Sequence, residues 1–558
     1  MDQLVGALKL PRSLCSILVA RGLEDVDAAK RFLRPRLGHL TDPAALADGS
    51  IAAGRISRAI RGGETILVHG DYDVDGISAA ALLTRCLRGY GGEVVPFVPH
   101  RLRDGYDFSG AGLDAARQVG ATLIVTVDCG TVAHQAVAEA TQAGIDVVVT
   151  DHHTVGDRLP DAVAVVNPQR ADCSYPDKNL CGAGVAYRVA ELVAREMEKT
   201  SSAAGRTDLS ELLDLVALAT IADLVPLVGE NRVLAHYGLR RMAASRWPGL
   251  RALLRVSDVA PASVTSGQVG FRVAPRINAA GRVGESADAL RLLLTESEEE
   301  AGVLAQRLDA LNAERRDEDR RTLDEALEDL GRRFDPDTDY GVVLSGADWH
   351  PGVIGIVASR VVERIHRPVV MIAMDGAMGR GSARSIPGFH LYDALAECSE
   401  HLERFGGHRQ AAGMDVPSDR LEAFEVAFNE VARTRLEGED LRPTLTPDAD
   451  LVVTDADLDL VHWLSYLGPH GIGNPGPLFR IAGVELEGVR VVGERHLKAT
   501  LRQGTGRLNA IGFGLAERHP PETLTTGRYD ILVRLERNDW RGRASVQAKL
   551  VDLRLSSS

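Results

Sequence analysis

The chain has 558 residues, 45% hydrophobic and 25% charged, an ordinary balance for a folded protein but too long for one core, so about three or four domains are expected. A formal net charge of −14 argues against a basic nucleic-acid coat or tail protein, while leaving room for local cationic grooves. The longest apolar stretch, Leu212 to Val228, is broken by Asp214 and Asp223, and six cysteines lie scattered without a Cys-x-x-Cys pair; this argues against a membrane span, a zinc ribbon or a disulfide framework, and for a cytoplasmic protein with reduced thiols.

Residues 1–50 read as a small helical lead-in punctuated by Leu10-Pro11, Arg34-Pro35-Arg36 and Asp42-Pro43. From Thr65 to Val166 short apolar runs alternate with helical patterns: Thr65 to Val68, Val94 to Val98, Thr122 to Val127, Ile145 to Thr150 and Val163 to Val166. Such alternation predicts a parallel sheet flanked by helices, with ligands at the carboxyl ends of the strands. Those ends carry the chemistry. After the first run comes His69-Gly70-Asp71-Tyr72-Asp73-Val74-Asp75-Gly76, whose alternating carboxylates Asp71, Asp73 and Asp75 point to one side of an extended segment. Three such charges repel one another unless a cation sits among them. A hard divalent ion suits them, and His69 adds a ligand suited to manganese, iron or zinc as well as magnesium.

Asp128-Cys129-Gly130 follows the third run, Asp151-His152-His153 the fourth, and an apolar helix ends at Asp223. Each alone reads as a cap, a surface pair or a helix end. Together, along the edge where this architecture builds its sites, they favour a two-metal centre.

Between about Glu296 and Phe334 the chain is strongly charged, with Leu304, Leu308, Leu311, Leu323, Leu327 and Leu330 at helical spacing, which predicts one long helix joining two lobes. A second α/β unit begins at Tyr340, with strands at Gly341 to Leu344 and Pro368 to Ala373, followed by a Gly-rich segment, Gly379 to Ser385, read as a loop. After Pro443 come six short alternating runs, Arg480 to Val484, Val489 to Val492, Leu497 to Leu501, Leu508 to Phe513, Ile531 to Leu535 and Ala544 to Leu550, which suggest a small barrel. Gly471 to Gly476 fits G-x-G-x-x-G, but Pro475 and the missing βαβ frame rule out a dinucleotide site. Trp540 and Phe513 read equally as base-stacking platforms or barrel core, and Lys498, Arg537, Arg541 and Arg543 as the groups that grip a single strand by charge.

His69-x-x-x-Asp73-x-Asp75-Gly76, Val127-Asp128-Cys129-Gly130, Asp151-His152-His153, Asn167-Pro168-Gln169 and Ala222-Asp223 together resemble the DHH phosphoesterase superfamily. Pro275 to Arg282, Gly381 to Ser385, Gly406 to Gly413 and Gly473 to Pro477 extend the resemblance over nearly the whole chain, to the RecJ family of single-strand-specific exonucleases. One departure is Gly105-Tyr106-Asp107-Phe108, where the family has Gly-Tyr-Gly-Leu.

The resemblance implies an α/β architecture: a helical lead-in over 1–50, a parallel-sheet DHH catalytic domain over 51–295, a connecting helix over 296–336, a DHHA1 domain over 337–440 and an OB-fold over 445–558. It implies that His69, Asp73 and Asp128 hold one Mn2+ or Mg2+ ion while Asp75, Asp128, His152 and Asp223 hold the other, with Asp128 bridging. His153 would contact the scissile phosphate, Arg276 would neutralise transition-state charge, and Asp71 and Asp151 would orient ligands. Arg101, Asn278, Arg282, Arg380, Ser382, Arg384, His408 and Trp540 would contact nucleic acid. The implied activity is 5′-to-3′ hydrolysis of single-stranded DNA to 5′-mononucleotides in repair and recombination, by a cytoplasmic monomer away from membranes that works beside a single-strand-binding protein and a helicase. The alternatives are a phosphodiesterase acting on short oligonucleotides or cyclic dinucleotides, and a catalytically dead binding protein. The first has no evident use for residues 445–558, and the second predicts missing ligands, whereas all six positions are occupied.

Overall fold

The computed structural model describes residues 1–101, 103–105, 107–199, 207–524, 527–540 and 542–556, without the side chain of residue 540. The chain separates into two compact units, one of residues 1–274, 290–301 and 445–558, the other of 275–289 and 302–444.

In the first unit, strands β1 (Thr65–Gly70), β2 (Glu93–Phe97), β3 (Leu123–Val127), β4 (Asp146–Thr150) and β5 (Ala164–Val166) form a parallel sheet in the order β2-β1-β3-β4-β5. Helices cover both faces, so the central strands read as continuous apolar runs, and every residue of β3 and β5 is buried. The order reverses between β1 and β3, which makes their carboxyl ends the switch point where such sheets open a site. Helix Val74–Gly89 leaves β1 through a tight turn capped by Asp73, whose carboxylate accepts from the amides of Asp75 at 2.9 Å and Gly76 at 3.1 Å. Gly76 is required there because a Cβ would lie 2.4 Å from the Asp71 nitrogen. Helix Leu213–Ala222 is buried on every side from Leu213 to Ile221 and delivers Asp223 at its end.

In the second unit, β6 (Val342–Gly346), β7 (Val369–Asp375), β8 (Met378–Arg384), β9 (Arg404–Gly407) and β10 (Ala411–Pro417) run in the order β6-β7-β8-β10-β9, antiparallel except for β6 and β7. The segment expected as a Gly-rich loop is therefore strand β8. Its period of two is carried by buried Gly379, Gly381 and Ala383, because Ile372, Met374 and Met414 pack where larger side chains would stand. Helix Glu298–Arg333 begins in the first unit and continues in the second as one uninterrupted element.

The carboxyl-terminal strands are β11 (Ala449–Asp450), β12 (Phe479–Val492), β13 (His496–Gln503), β14 (Gly506–Gly512), β15 (Tyr529–Trp540) and β16 (Arg543–Leu555). The order β12-β13-β14-β16-β15 closes through a β15–β12 pairing into the five-stranded barrel of an OB-fold, with β11 added beside β12. The runs at 480–484 and 489–492 belong to one strand, bulged between Glu487 and Arg490. Leu4, Leu14, Ile17 and Leu18 of the amino-terminal helices share one apolar core with Phe479, Ile481, Val533 and Leu550 of the barrel. Among the described residues no helix is long and apolar enough to cross a membrane.

Candidate metal centre

The carboxyl ends of β1, β3 and β4 and the end of helix Leu213–Ala222 converge in the first unit. Oxygens of Asp71, Asp73 and Asp128 lie within 4.8 Å of one another, and so do ligand atoms of Asp75, His152 and Asp223. Asp128 joins the two groups: its Oδ1 is 3.1 Å from His152 Nε2, which is 3.6 Å from Asp223 and 3.8 Å from Asp75. Burial keeps the charges of Asp75 and Asp128 from water. A Cβ at Gly182 would fall 2.5 Å from Asp128, so glycine there makes room for the carboxylate.

His69 stands outside these groups. Its ring is wholly buried between Phe97 and Phe108, with Nδ1 3.6 Å from Cys129 Sγ and Nε2 turned toward Gly112. Asp71, expected behind the ligands, has its carboxylate in the cluster instead.

Asp151 sits directly against both histidines. Its Oδ1 accepts from the amides of His152 at 2.7 Å and His153 at 3.1 Å and lies 2.8 Å from His153 Nδ1, while Oδ2 accepts from Thr131 at 3.0 Å. Asn167, matched as a motif residue without an assigned role, donates to Thr131 Oγ1 at 3.0 Å and to the His153 carbonyl at 2.9 Å. Asp75 is fixed by the amides of Gly182 at 2.6 Å and Ala183 at 2.7 Å, which open helix Gly182–Glu198 and favour a negative charge. No sequence motif marks these two donors. The small-residue run Gly182-Ala183-Gly184 at a helix start was the available signal.

The electrostatics describe a site made for cations. Burial, and then the charge of Asp73, raises Asp75 to about 7, and burial with Asp75 raises Asp223 to about 9. Asp71 and Asp128 are pushed well up by burial and by neighbouring carboxylates. Burial lowers His152 to about 4, leaving a neutral imidazole able to offer a lone pair. Burial also opposes charge on His153, but the Asp151 carboxylate outweighs it and raises the imidazolium to about 9. Oδ1 of Asp71, Oδ1 of Asp128 and Nε2 of His152 are buried without a hydrogen-bond partner. His152 Nε2 and Asp128 Oδ1 meet at 3.1 Å without hydrogen-bond alignment, as ligands of one ion do. Oxygen donors joined by a neutral imidazole fit Mn2+ or Mg2+.

Arg101, in the loop after β2, places its guanidinium 5.3 Å from the centre of the Tyr72 ring, between Asp71 and Asp73 in sequence. In the second unit, Arg276 is ion-paired with Asp309 at 2.8 Å, and Arg282 donates to the Gly352 carbonyl at 3.1 Å on the same helix that carries half-buried Asn278. Arg384 donates to Ser382 Oγ at 3.2 Å, both beside Gly355 in the first turn of helix Ile354–Ile365. Arg380 lies 3.9 Å from Asp415, and His408 is exposed in the turn between β9 and β10. Trp540's side chain and Arg541 fall outside the described residues. Phe513 is 57% exposed, with Lys549 5.5 Å from its ring centre, so it is surface rather than barrel core.

The chain is similar to known proteins along its whole length. The DHH family, N-terminal domain, matches residues 65–220, the DHHA1 domain 338–434 and the RecJ OB domain 447–552. The single-stranded-DNA-specific exonuclease RecJ of Dickeya dadantii is 38% identical over 554 residues, which cover 96% of this chain and 95% of the relative. The chain belongs to the RecJ family. The Escherichia coli RecJ is 36% identical over 556 residues, covering 97% of this chain and 95% of that one. The crystal structure of Thermus thermophilus RecJ in complex with Mn2+ superposes with a TM-score of 0.85 at 32% identity, over all of this chain and 78% of that one. Its Mg2+ complex gives 0.80 at 31%, over all of this chain and 77% of that one.

Proposed function

We propose that the chain is a metal-dependent exonuclease specific for single-stranded DNA, running 5′ to 3′ and releasing 5′-mononucleotides in DNA repair and recombination. The observation that carries this is the pair of ligand groups joined through the 3.1 Å approach of Asp128 to His152 at a strand switch point, in a chain alignable end to end with RecJ enzymes. Asp71, Asp73 and Asp128 would hold one divalent ion, and Asp75, Asp128, His152 and Asp223 the other. Bound there, the pair would supply Lewis acidity and activate a water for displacement at phosphorus.

The chain's own residues do the remaining work. Asp151 keeps His153 charged and oriented, so that its imidazolium offers a proton and a positive charge to a phosphate oxygen. Gly182 and Ala183 hold Asp75 in one rotamer, and helix Leu213–Ala222 presents Asp223 rigidly. Within the first unit Arg101 is a candidate for capture of the terminal 5′-phosphate, and within the second, by itself, the Ser382–Arg384 pair is a candidate phosphate-binding group. The barrel with exposed Phe513 and Lys549 would hold the rest of the strand by stacking and charge. A cytoplasmic monomer working beside a single-strand-binding protein and a helicase completes the reading.

Digestion of single-stranded DNA, duplex DNA, RNA and a cyclic dinucleotide with added Mn2+ tests it. Mononucleotide release from single-stranded DNA well ahead of the others is expected; preferential hydrolysis of the cyclic dinucleotide would replace this reading with that of a small-substrate phosphodiesterase.

A further inference from the structure

The turn that carries the shared carboxylate is conformationally demanding. Asp128 (φ 63°) and Gly130 (φ 106°) both adopt positive φ, which for a non-glycine residue needs outside support. Strands supply two ties: the Asp128 amide donates to the Thr150 carbonyl at 2.9 Å, and Thr126 Oγ1 donates to the Cys129 carbonyl at 2.8 Å. The buried amide of Gly130 has its acceptor elsewhere. It donates to Asp107 Oδ1 at 2.6 Å, from the loop after β2.

Asp107 itself has φ 72°, a conformation that glycine adopts more freely, and its Oδ1 also accepts from the Phe108 amide at 2.8 Å. Phe108 is buried with its ring edge-on to His69 at 5.3 Å, which anchors the loop. At the loop's other end Arg101 lies over Tyr72. The same segment is where the sequence departs from Gly-Tyr-Gly-Leu.

We infer that Asp107 is a positioning residue of the metal centre, whose carboxylate clamps the Asp128–Gly130 turn so that Asp128 is preset to serve both ligand groups. This rests on the metal-centre reading above. A glycine at 107 would relax the backbone while leaving the Gly130 amide without its acceptor; an asparagine would keep an acceptor oxygen and lose only the charge.

The test is calorimetric titration of Mn2+ into the full-length protein and its D107G and D107N variants without DNA, alongside thermal unfolding of each metal-free protein. D107G is expected to bind Mn2+ about tenfold more weakly with an unfolding midpoint close to wild type, and D107N to stay within about threefold of wild type. Wild-type affinity in D107G would overturn the inference. Loss in D107N equal to that in D107G would also overturn it, by making the charge rather than the acceptor the operative feature. A loss in D107G explained entirely by a lowered unfolding midpoint would reduce Asp107 to a stability residue and overturn it as well. A wild-type protein that takes up no Mn2+ would refute the metal centre and this inference together, whereas the variant outcomes refute only the inference.

Discussion

Asp128 is the residue on which the proposed centre depends, since its carboxylate clusters with those of Asp71 and Asp73 and also lies 3.1 Å from His152 of the other group. Asp128→Ala should leave the fold intact and reduce cleavage by at least ~10³, because a paired-ion arrangement supplies several kcal/mol of transition-state stabilisation. Retention of more than about a tenth of wild-type turnover in the purified variant would remove Asp128 from that role. The sequence located this residue and most of its neighbours, because strand ends in a parallel sheet are easily recognised. It did not separate Asp71 from His69. Both lie at the end of β1, and only the aromatic packing around the His69 ring shows that it faces Phe97, Phe108 and Cys129 instead of the carboxylates.

Helix Leu213–Ala222 carries an ionisable group that works against stability. Asp214 is wholly buried, accepts from Ser245 Oγ at 2.6 Å and from the Leu215 amide at 2.8 Å, and is raised by burial to about 6. Its folded pKa lies above the unfolded value, so the native state binds the proton more tightly. Stability therefore falls as pH rises from about 4 to about 6 and the penalty persists above that range. Asp214→Asn retains an acceptor and should raise stability at pH 7 by up to about 3 kcal/mol, with the gain vanishing toward pH 4. Denaturant unfolding at the two pH values measures it, and an equal effect at both would show that the carboxyl does not titrate as described. Elements were legible where apolar periodicity was strong, as in β1 to β5. Strand β8 was hidden because its inward positions are Gly379, Gly381 and Ala383, which carry no apolar signal.

At the scale of the whole chain, the barrel is an integral part of the first unit. Its apolar core continues into the amino-terminal helices, buried Arg232 donates to the carbonyls of Tyr466 at 3.0 Å and Leu467 at 2.9 Å, and the Leu227 amide donates to Ile472 at 2.7 Å. These contacts join residues distant in sequence, so the six strand runs and the helical lead-in could be recognised separately but not as sharing one core. Truncation at 445 would expose that core, so a surface change tests the barrel's role more cleanly. Phe513→Ala should weaken binding of a long single strand by about five- to a hundredfold, the loss of one stacked base, while leaving trinucleotide hydrolysis unchanged. Equal effects on both substrates would assign Phe513 to the fold.

The most direct test of the central claim follows a 5′-phosphorylated single strand labelled at its 3′ end during digestion by the full-length protein with Mn2+. 5′-Mononucleotides are expected to appear from the unlabelled end, with the 3′ label retained on shortening fragments until late and no internal cuts. Early loss of the 3′ label, or a ladder of internal products, would contradict it.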